Sequence, residues 1–263
     1  MYYKKGRNIS KFLMPISILI ILITIFFSIN LYNNDKTIII SHRGASGEEI
    51  EHTFSAYDLA IAYGSSYIEQ DLVTSKDNVL YVSHDNNSER LTGVNKNYSD
   101  MTSEEISKLK VDNGENIHTL EDVFTRYGKK TNYVIETKQR NQVFELVKLI
   151  KKHDLENHVI IQSFHLVDLL ESHTYLQQAQ YMFLSDNKNN DEYHKALVSE
   201  AIDIICLNKT NNLNESTISE VQNKNKKIYF YTINSFDDMK HAKDLGVDGL
   251  FTDYTAKALY IFK

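Results

Sequence analysis

Ile38-Ile39-Ile40-Ser41-His42-Arg43-Gly44 opens a stretch that closes on Tyr81-Val82-Ser83-His84-Asp85, and the reading of these residues decides the fold. The run from Thr37 to Ile40 shows continuous rather than alternating hydrophobicity, as a buried strand does. His42 and Arg43 follow at its end. Tyr67-Ile68 leads into Glu69-Gln70-Asp71 in the same way. Residues i and i+2 of an extended chain point to one side, so Glu69 and Asp71 share a side. Their repulsion there calls for a cation between them. A third apolar stretch, Val79 to Val82, is followed by His84. Imidazole, carboxylate and guanidinium groups are thus each delivered by the end of an extended segment.

Outward from this stretch, short apolar runs alternate with amphipathic ones. Strands are expected at 37–41, 66–71, 132–136, 158–162, 179–183, 203–207, 227–232 and 248–252. Helices are expected at 53–63, 141–152, 165–174, 191–200, 214–225 and 235–244. The last opens on Ser235 with Asp237 and Asp238 in its first turn, an N-cap pattern. Gly128 and Gly246 stand where helices should stop. Repeated strand–helix alternation with continuous strand hydrophobicity argues for a parallel sheet covered on both faces. Over residues 37–263 this predicts an α/β fold, a closed (β/α)8 TIM barrel. An open doubly wound sheet finds no glycine-rich phosphate loop to support it. One connection is irregular: about 60 residues separate Asp71 from Asn132, with short helices expected at 102–110 and 119–127. A long loop on a rigid scaffold usually carries function, and this one presents His84.

Composition narrows the class. A net charge of −6 with no basic stripe gives nothing for nucleic acid to bind. The single cysteine, Cys206, excludes an intramolecular disulfide and a cysteine-rich zinc site, and its apolar neighbours make it a buried small side chain. Lys4, Lys5, Arg7 and Lys11 precede an uncharged apolar run from Phe12 to Ile29. The expectation is a cytoplasmic basic segment at 1–11, an uncleaved transmembrane anchor at 12–32 and a short tether at 33–36. A cleaved signal peptide is the competing reading, but no small-residue cleavage site follows Phe27-Ser28-Ile29. The domain at 37–263 is therefore expected outside the cell membrane and close to it, on a single-pass chain.

In order and spacing, His42-Arg43-Gly44, Glu51-His52-Thr53, Glu69-Gln70-Asp71 and His84-Asp85 resemble the motifs of the glycerophosphodiester phosphodiesterases. The resemblance continues through Glu136-Thr137-Lys138, Gln162-Ser163-Phe164, Tyr231-Thr232-Ile233-Asn234 and Gly246-Val247-Asp248-Gly249-Leu250-Phe251-Thr252-Asp253, and so spans about residues 37–263. Four positions depart from the family pattern. Ile50 stands for a usual proline, His52 for asparagine and Tyr231 for tryptophan, and no proline follows Thr252-Asp253-Tyr254.

The chemistry follows from the residue types. Glu69, Asp71 and Glu136 form an all-oxygen set at strand ends that suits one hard divalent cation, Mg²⁺ or Ca²⁺. Arg43 and Lys138 are placed to hold phosphate oxygens. Imidazole is the side chain suited to proton transfer near neutral pH, so His42 and His84 are expected to form a general acid/base pair, as the resemblance also implies. Glu51 is expected to orient Arg43 or a ligand, and Gln162, Phe164, Tyr231 and Asn234 to line the pocket or to stand directly behind it. The other eight histidines, His52 among them, read as hydrogen-bonded structural residues. The implied reaction is metal-dependent hydrolysis of a glycerophosphodiester, or of a cell-wall glycerophosphate polymer, to glycerol 3-phosphate and an alcohol. Alternatives are phospholipase D-like cleavage of lysophospholipid at the same site, or a catalytically silent barrel that binds an envelope polymer.

Overall fold

Strand residues alternate between two hydrophobic layers, and the alternation sets where every functional side chain points. The structure, a computed structural model, describes residues 37–263. Its strands are β1 (Ile38–Ser41), β2 (Tyr67–Thr74), β3 (Leu80–Val82), β4 (Asn132–Glu136), β5 (Val159–Ser163), β6 (Gln180–Ser185), β7 (Ile204–Asn208), β8 (Lys227–Tyr231) and β9 (Gly249–Thr252). All but β3 pair in parallel, in the order β1-β9-β8-β7-β6-β5-β4-β2, and β1 pairs with β2 to close the ring. The expected (β/α)8 barrel is observed. Ile40, Val134, Ile160, Cys206, Tyr229 and Phe251 fill the interior. Ile39, Ile68, Tyr133, Ile161, Ile205 and Phe230 face the helices. Cys206 is a fully buried interior side chain, as its neighbours imply. A Cβ on Gly249 would lie 2.7 Å from the Tyr229 ring, so glycine leaves the interior space that this ring occupies. Each fully buried aliphatic or aromatic side chain contributes roughly 1.5–3 kcal/mol.

The strand runs read from the sequence all become strands, and the amphipathic segments become helices, including Phe54–Ala62, Gln142–Lys152 and Phe236–Asp244. The expected N-cap on Ser235 is present: its side chain accepts from Asp238 N. Two assignments differ. β2 does not end at Asp71 but runs to Thr74, because residues 72–74 leave the barrel and pair antiparallel with β3. The helix expected at 102–110 covers only Ser103–Ile106, because the chain beyond it turns back so that Val111 N bonds Glu115 O. The basic segment, anchor and tether expected at 1–11, 12–32 and 33–36 lie outside the described residues. Among the described residues no helix is long and apolar enough to cross a membrane.

The excursion between β2 and β4 has a core of its own, built on Val73, Tyr81, Tyr98, Met101, Ile106 and Ile117. Glu115 fastens it to the barrel at the N-terminus of helix Phe54–Ala62. Its carboxylate accepts from Phe54 N (2.7 Å), Ser55 N (3.2 Å), Ser55 Oγ and His118 Nε2 (2.9 Å). A carboxylate on free helix N–H groups is favourable. Burial would raise the Glu115 pKa, yet hydrogen bonds from Ser55, His118 and the backbone bring it from 4.5 down to about 2. A depressed acid pKa adds stability that is complete above the ordinary value and is lost as pH falls through the folded one. Urea denaturation should therefore find Glu115→Gln less stable than the parent at pH 6. That gap should shrink between pH 4.5 and 2; a gap unchanged across this window would refute the linkage.

Candidate active site

The C-terminal ends of the strands surround a cleft of about 160 Å³ lined by His42, Arg43, Glu69, Asp71, His84, Glu136, Gln162, Phe164 and Tyr231, with Leu184, Thr232 and Phe251 beneath. Register explains the convergence. Glu69 and Asp71 continue the inner face that begins with Tyr67, Asp71 is the cross-strand partner of Glu136, and Glu136 is the partner of Gln162. Parallel strands and period-two alternation therefore set three carboxylates and an amide side by side.

The His42-Arg43-Gly44 turn tightens this arrangement. Arg43 adopts φ 58° and its N–H donates to Glu69 Oε2 at 2.9 Å. Gly44 follows at φ 89°, where a Cβ would sit 2.7 Å from the Ala56 carbonyl carbon, so no larger residue fits. Arg43 Nε lies 3.1 Å from Asp71 Oδ2 without the alignment of a hydrogen bond, so this contact acts through charge. Its Nη1 lies 3.3 Å from Glu51 Oε2. Arg90 binds Glu51 from the excursion with two donors, at 2.8 and 3.0 Å. Glu51 thus joins Arg43 to the excursion. Lys138 Nζ is 3.1 Å from Asp71 Oδ1 and also donates to the His84 carbonyl.

Burial and crowding split the carboxylates. Burial, then the charge of Asp71, pushes Glu69 well above the usual carboxylate range, and the same two causes raise Glu136. Burial would also raise Asp71, but the His52 hydrogen bond and the charges of Lys138, His52 and Arg43 hold it well below. Three carboxylates face two cations here, and the excess negative charge fits a divalent cation with oxygen ligands. Glu69, Asp71 and His52 each offer one ligand atom, all within 4.8 Å of one another. Glu136 faces the same cleft from the next strand. When bound, such a cation would hold a phosphoryl oxygen and neutralise charge that builds there.

Each cleft histidine is held by an aspartate through Nδ1. His42 Nδ1 lies 2.6 Å from Asp253 Oδ1, and Asp253 also accepts from Ser46 Oγ (3.1 Å) and Asn234 Nδ2 (2.6 Å). Burial alone would raise Asp253, but the His42 hydrogen bond and charge, followed by those from Asn234 and Ser46, hold it low. His84 Nδ1 lies 2.8 Å from Asp85 Oδ1, and Asp85 is held in turn by Arg90. A carboxylate is an acceptor, so Nδ1 carries the proton in both rings. Burial, and next the charge of Lys138, lower the His84 pKa, favouring its neutral form.

Of the residues expected to line the pocket, Gln162 donates to Glu69 Oε1 at 3.2 Å. Phe164 and Tyr231 meet edge to face at 6.1 Å, and Tyr231 Oη bonds Asp186 at 3.0 Å. Asn234 stands behind the cleft and donates to Asp253. Sequence reasoning missed two residues that the structure joins to the cleft. Asp253 could have been found, since a closed barrel makes its first and last strands neighbours, and Ser41 is indeed paired with Thr252. His52 gave a weaker signal, its departure from the family asparagine. The structure buries it with Nε2 3.0 Å from Asp71 Oδ2 and Nδ1 2.9 Å from Tyr57 Oη. Burial lowers its pKa despite Asp71, which favours the neutral ring.

Comparison with known proteins agrees with this geometry. Residues 42–257 match the glycerophosphoryl diester phosphodiesterase family. A glycerophosphodiester phosphodiesterase of Bacillus subtilis (strain 168) is 29% identical, covering 95% of this chain and 96% of that protein. The crystal structure of a glycerophosphodiester phosphodiesterase from Thermotoga maritima superposes with a TM-score of 0.75 at 26% identity, over 86% of this chain and 98% of that one. An Oleispira antarctica phosphodiesterase, solved in complex with the product sn-glycerol-3-phosphate, shares the fold with a TM-score of 0.76 at 20% identity, over 85% and 96% of the two chains.

Proposed function

The chain belongs to the glycerophosphoryl diester phosphodiesterase family and is an enzyme of that class; on that premise we propose that it hydrolyses glycerophosphodiesters to glycerol 3-phosphate and an alcohol, with Mg²⁺ or Ca²⁺ and with His42 and His84 as its proton-transfer pair. One observation carries the reading: two imidazoles, each tied through Nδ1 to an aspartate, flank a cleft that also holds Glu69, Asp71 and Glu136. Each ring keeps Nε2 for the substrate. The neighbouring glycerol hydroxyl forms a P–O bond as the P–O bond to the leaving alcohol breaks, and water then opens the cyclic phosphate to glycerol 3-phosphate. One imidazole, neutral, takes the proton of the attacking group at Nε2, and the other, protonated on both nitrogens, gives its Nε2 proton to the leaving oxygen. Arg43 and Lys138 hold the non-bridging oxygens, the arginine as a fork and the lysine as a point charge. Phe164 and Tyr231 give the glycerol or its alcohol an apolar wall. The basic segment before residues 12–32 places this domain, in our reading, on the outer side of a membrane, within reach of envelope lipids and glycerophosphate polymers.

The test is release of glycerol 3-phosphate from membrane-impermeant glycerophosphocholine, by the purified domain and by intact cells carrying the full chain. Mg²⁺, Ca²⁺ or EDTA is added, with a glycerophosphate polymer and a lysophospholipid as parallel substrates. Cation-dependent release is expected, from outside intact cells as well. Cleavage of lysophospholipid alone would overturn the substrate assignment, and activity only after lysis would overturn the orientation.

A further inference from the structure

Asp71 receives a contact that the reaction does not use. His52 is buried, 3% exposed, at φ 59° in the turn before helix Phe54–Ala62, and its N–H donates to the Arg43 carbonyl at 3.0 Å. That bond anchors the imidazole to the turn that presents Arg43. Both ring nitrogens are occupied: Nε2 is 3.0 Å from Asp71 Oδ2 and Nδ1 is 2.9 Å from Tyr57 Oη. Asp71 accepts, so Nε2 carries the hydrogen. In the neutral ring Nδ1 then accepts, and the Tyr57 hydroxyl donates. Tyr57 is itself fully buried on the first turns of its helix. The chain Tyr57 Oη–H to Nδ1, then Nε2–H to Oδ2, has one consistent set of protons.

We propose that His52 is a positioning residue for the cation site, holding Asp71 Oδ2 so that Oδ1, the oxygen beside Lys138, is the one presented to the cation. This rests on the reading that Asp71 is a cation ligand. His52 stands within 4.8 Å of the Glu69 and Asp71 ligand atoms but has no nitrogen free to bind an ion, since each already serves a hydrogen bond. Partners of this kind behind metal ligands fix the ligand's orientation, and losing one typically costs 10–100-fold in affinity. His52 occupies this place in a chain where the family pattern expects the shorter asparagine, so Tyr57 is needed to complete the contact by fixing the tautomer.

The test is calorimetric titration of the protein with Mg²⁺, Ca²⁺ and Mn²⁺, with circular dichroism confirming the fold. His52→Ala should weaken binding by about 10–100-fold. His52→Gln, which returns an N–H near the Nε2 position, should restore most of it. Tyr57→Phe, which keeps the ring and removes only the hydroxyl, should weaken binding by a smaller factor. It serves as the second variant if His52→Ala does not fold. Pulsed electron paramagnetic resonance of the Mn²⁺ form should show no directly bound imidazole nitrogen. Unchanged affinity in Tyr57→Phe and in His52→Ala would overturn the proposal, as would a nitrogen signal that vanishes in His52→Gln. If the parent protein binds no cation, the underlying site reading fails, and the positioning role fails with it.

Discussion

Replacing His42 with alanine is expected to lower turnover of a glycerophosphodiester by about 10²–10⁴-fold, the usual worth of a positioned acid or base, with the barrel intact. His42 is partly exposed at the mouth of the cleft, with 18% of its side chain open to solvent, so its removal leaves no large cavity. Asp253 keeps its hydrogen bonds from Asn234 and Ser46 and is not stranded. Asp253→Asn should be nearly as damaging. Its amide can donate to Nδ1 and so force the proton onto Nε2, the tautomer that cannot accept from an attacking hydroxyl. The check is kcat for both variants beside calorimetric cation binding. Loss of turnover with retained binding supports the assignment, and turnover within 10-fold of the parent would remove His42 from the mechanism.

Glu69→Gln should produce two opposite effects. Cation-dependent activity should disappear, because a charged ligand is lost from the centre of the cleft. Thermal stability in EDTA should rise. Glu69 has a carboxyl pushed up by burial and by Asp71, and a raised acid pKa marks a charge that costs stability at pH above it. Neutralising it relieves that cost, as replacing buried charges often does. The hydrogen bonds survive the change. One glutamine oxygen can still accept from Arg43 N, and the Gln162 amide, whose Oε1 has no partner, can turn to accept from the new NH₂. A Glu69→Gln protein with a lower melting temperature in EDTA, or with undiminished cation-dependent turnover, would contradict this account of the site's charge.

Much of this was legible in the sequence because the relevant forces are local or periodic. Continuous hydrophobic runs marked the strands, and i, i+2 spacing put Glu69 beside Asp71. Those rules follow from strand geometry alone. What was hidden depends on contacts across the ring or between elements. Asp253 meets His42 only when β9 pairs with β1. His52 meets Asp71 only because a left-handed turn and the start of a helix fold its ring inward beside Tyr57. The extension of β2 beyond Asp71 depended on pairing with β3, a partner that hydrophobicity could suggest but not align. The anchor expected at 12–32 belongs to residues outside the described part of the chain.

The His42–Asp253 pair spans 211 residues of sequence, and that separation has a meaning in time. At about 5–20 residues per second, a ribosome that has delivered His42 needs roughly 10–40 s to deliver Asp253. Throughout that interval the imidazole has no partner to fix its tautomer, and the ring of strands lacks its closing member. On the proposed role of His42, hydrolytic competence would arrive only with the last strand.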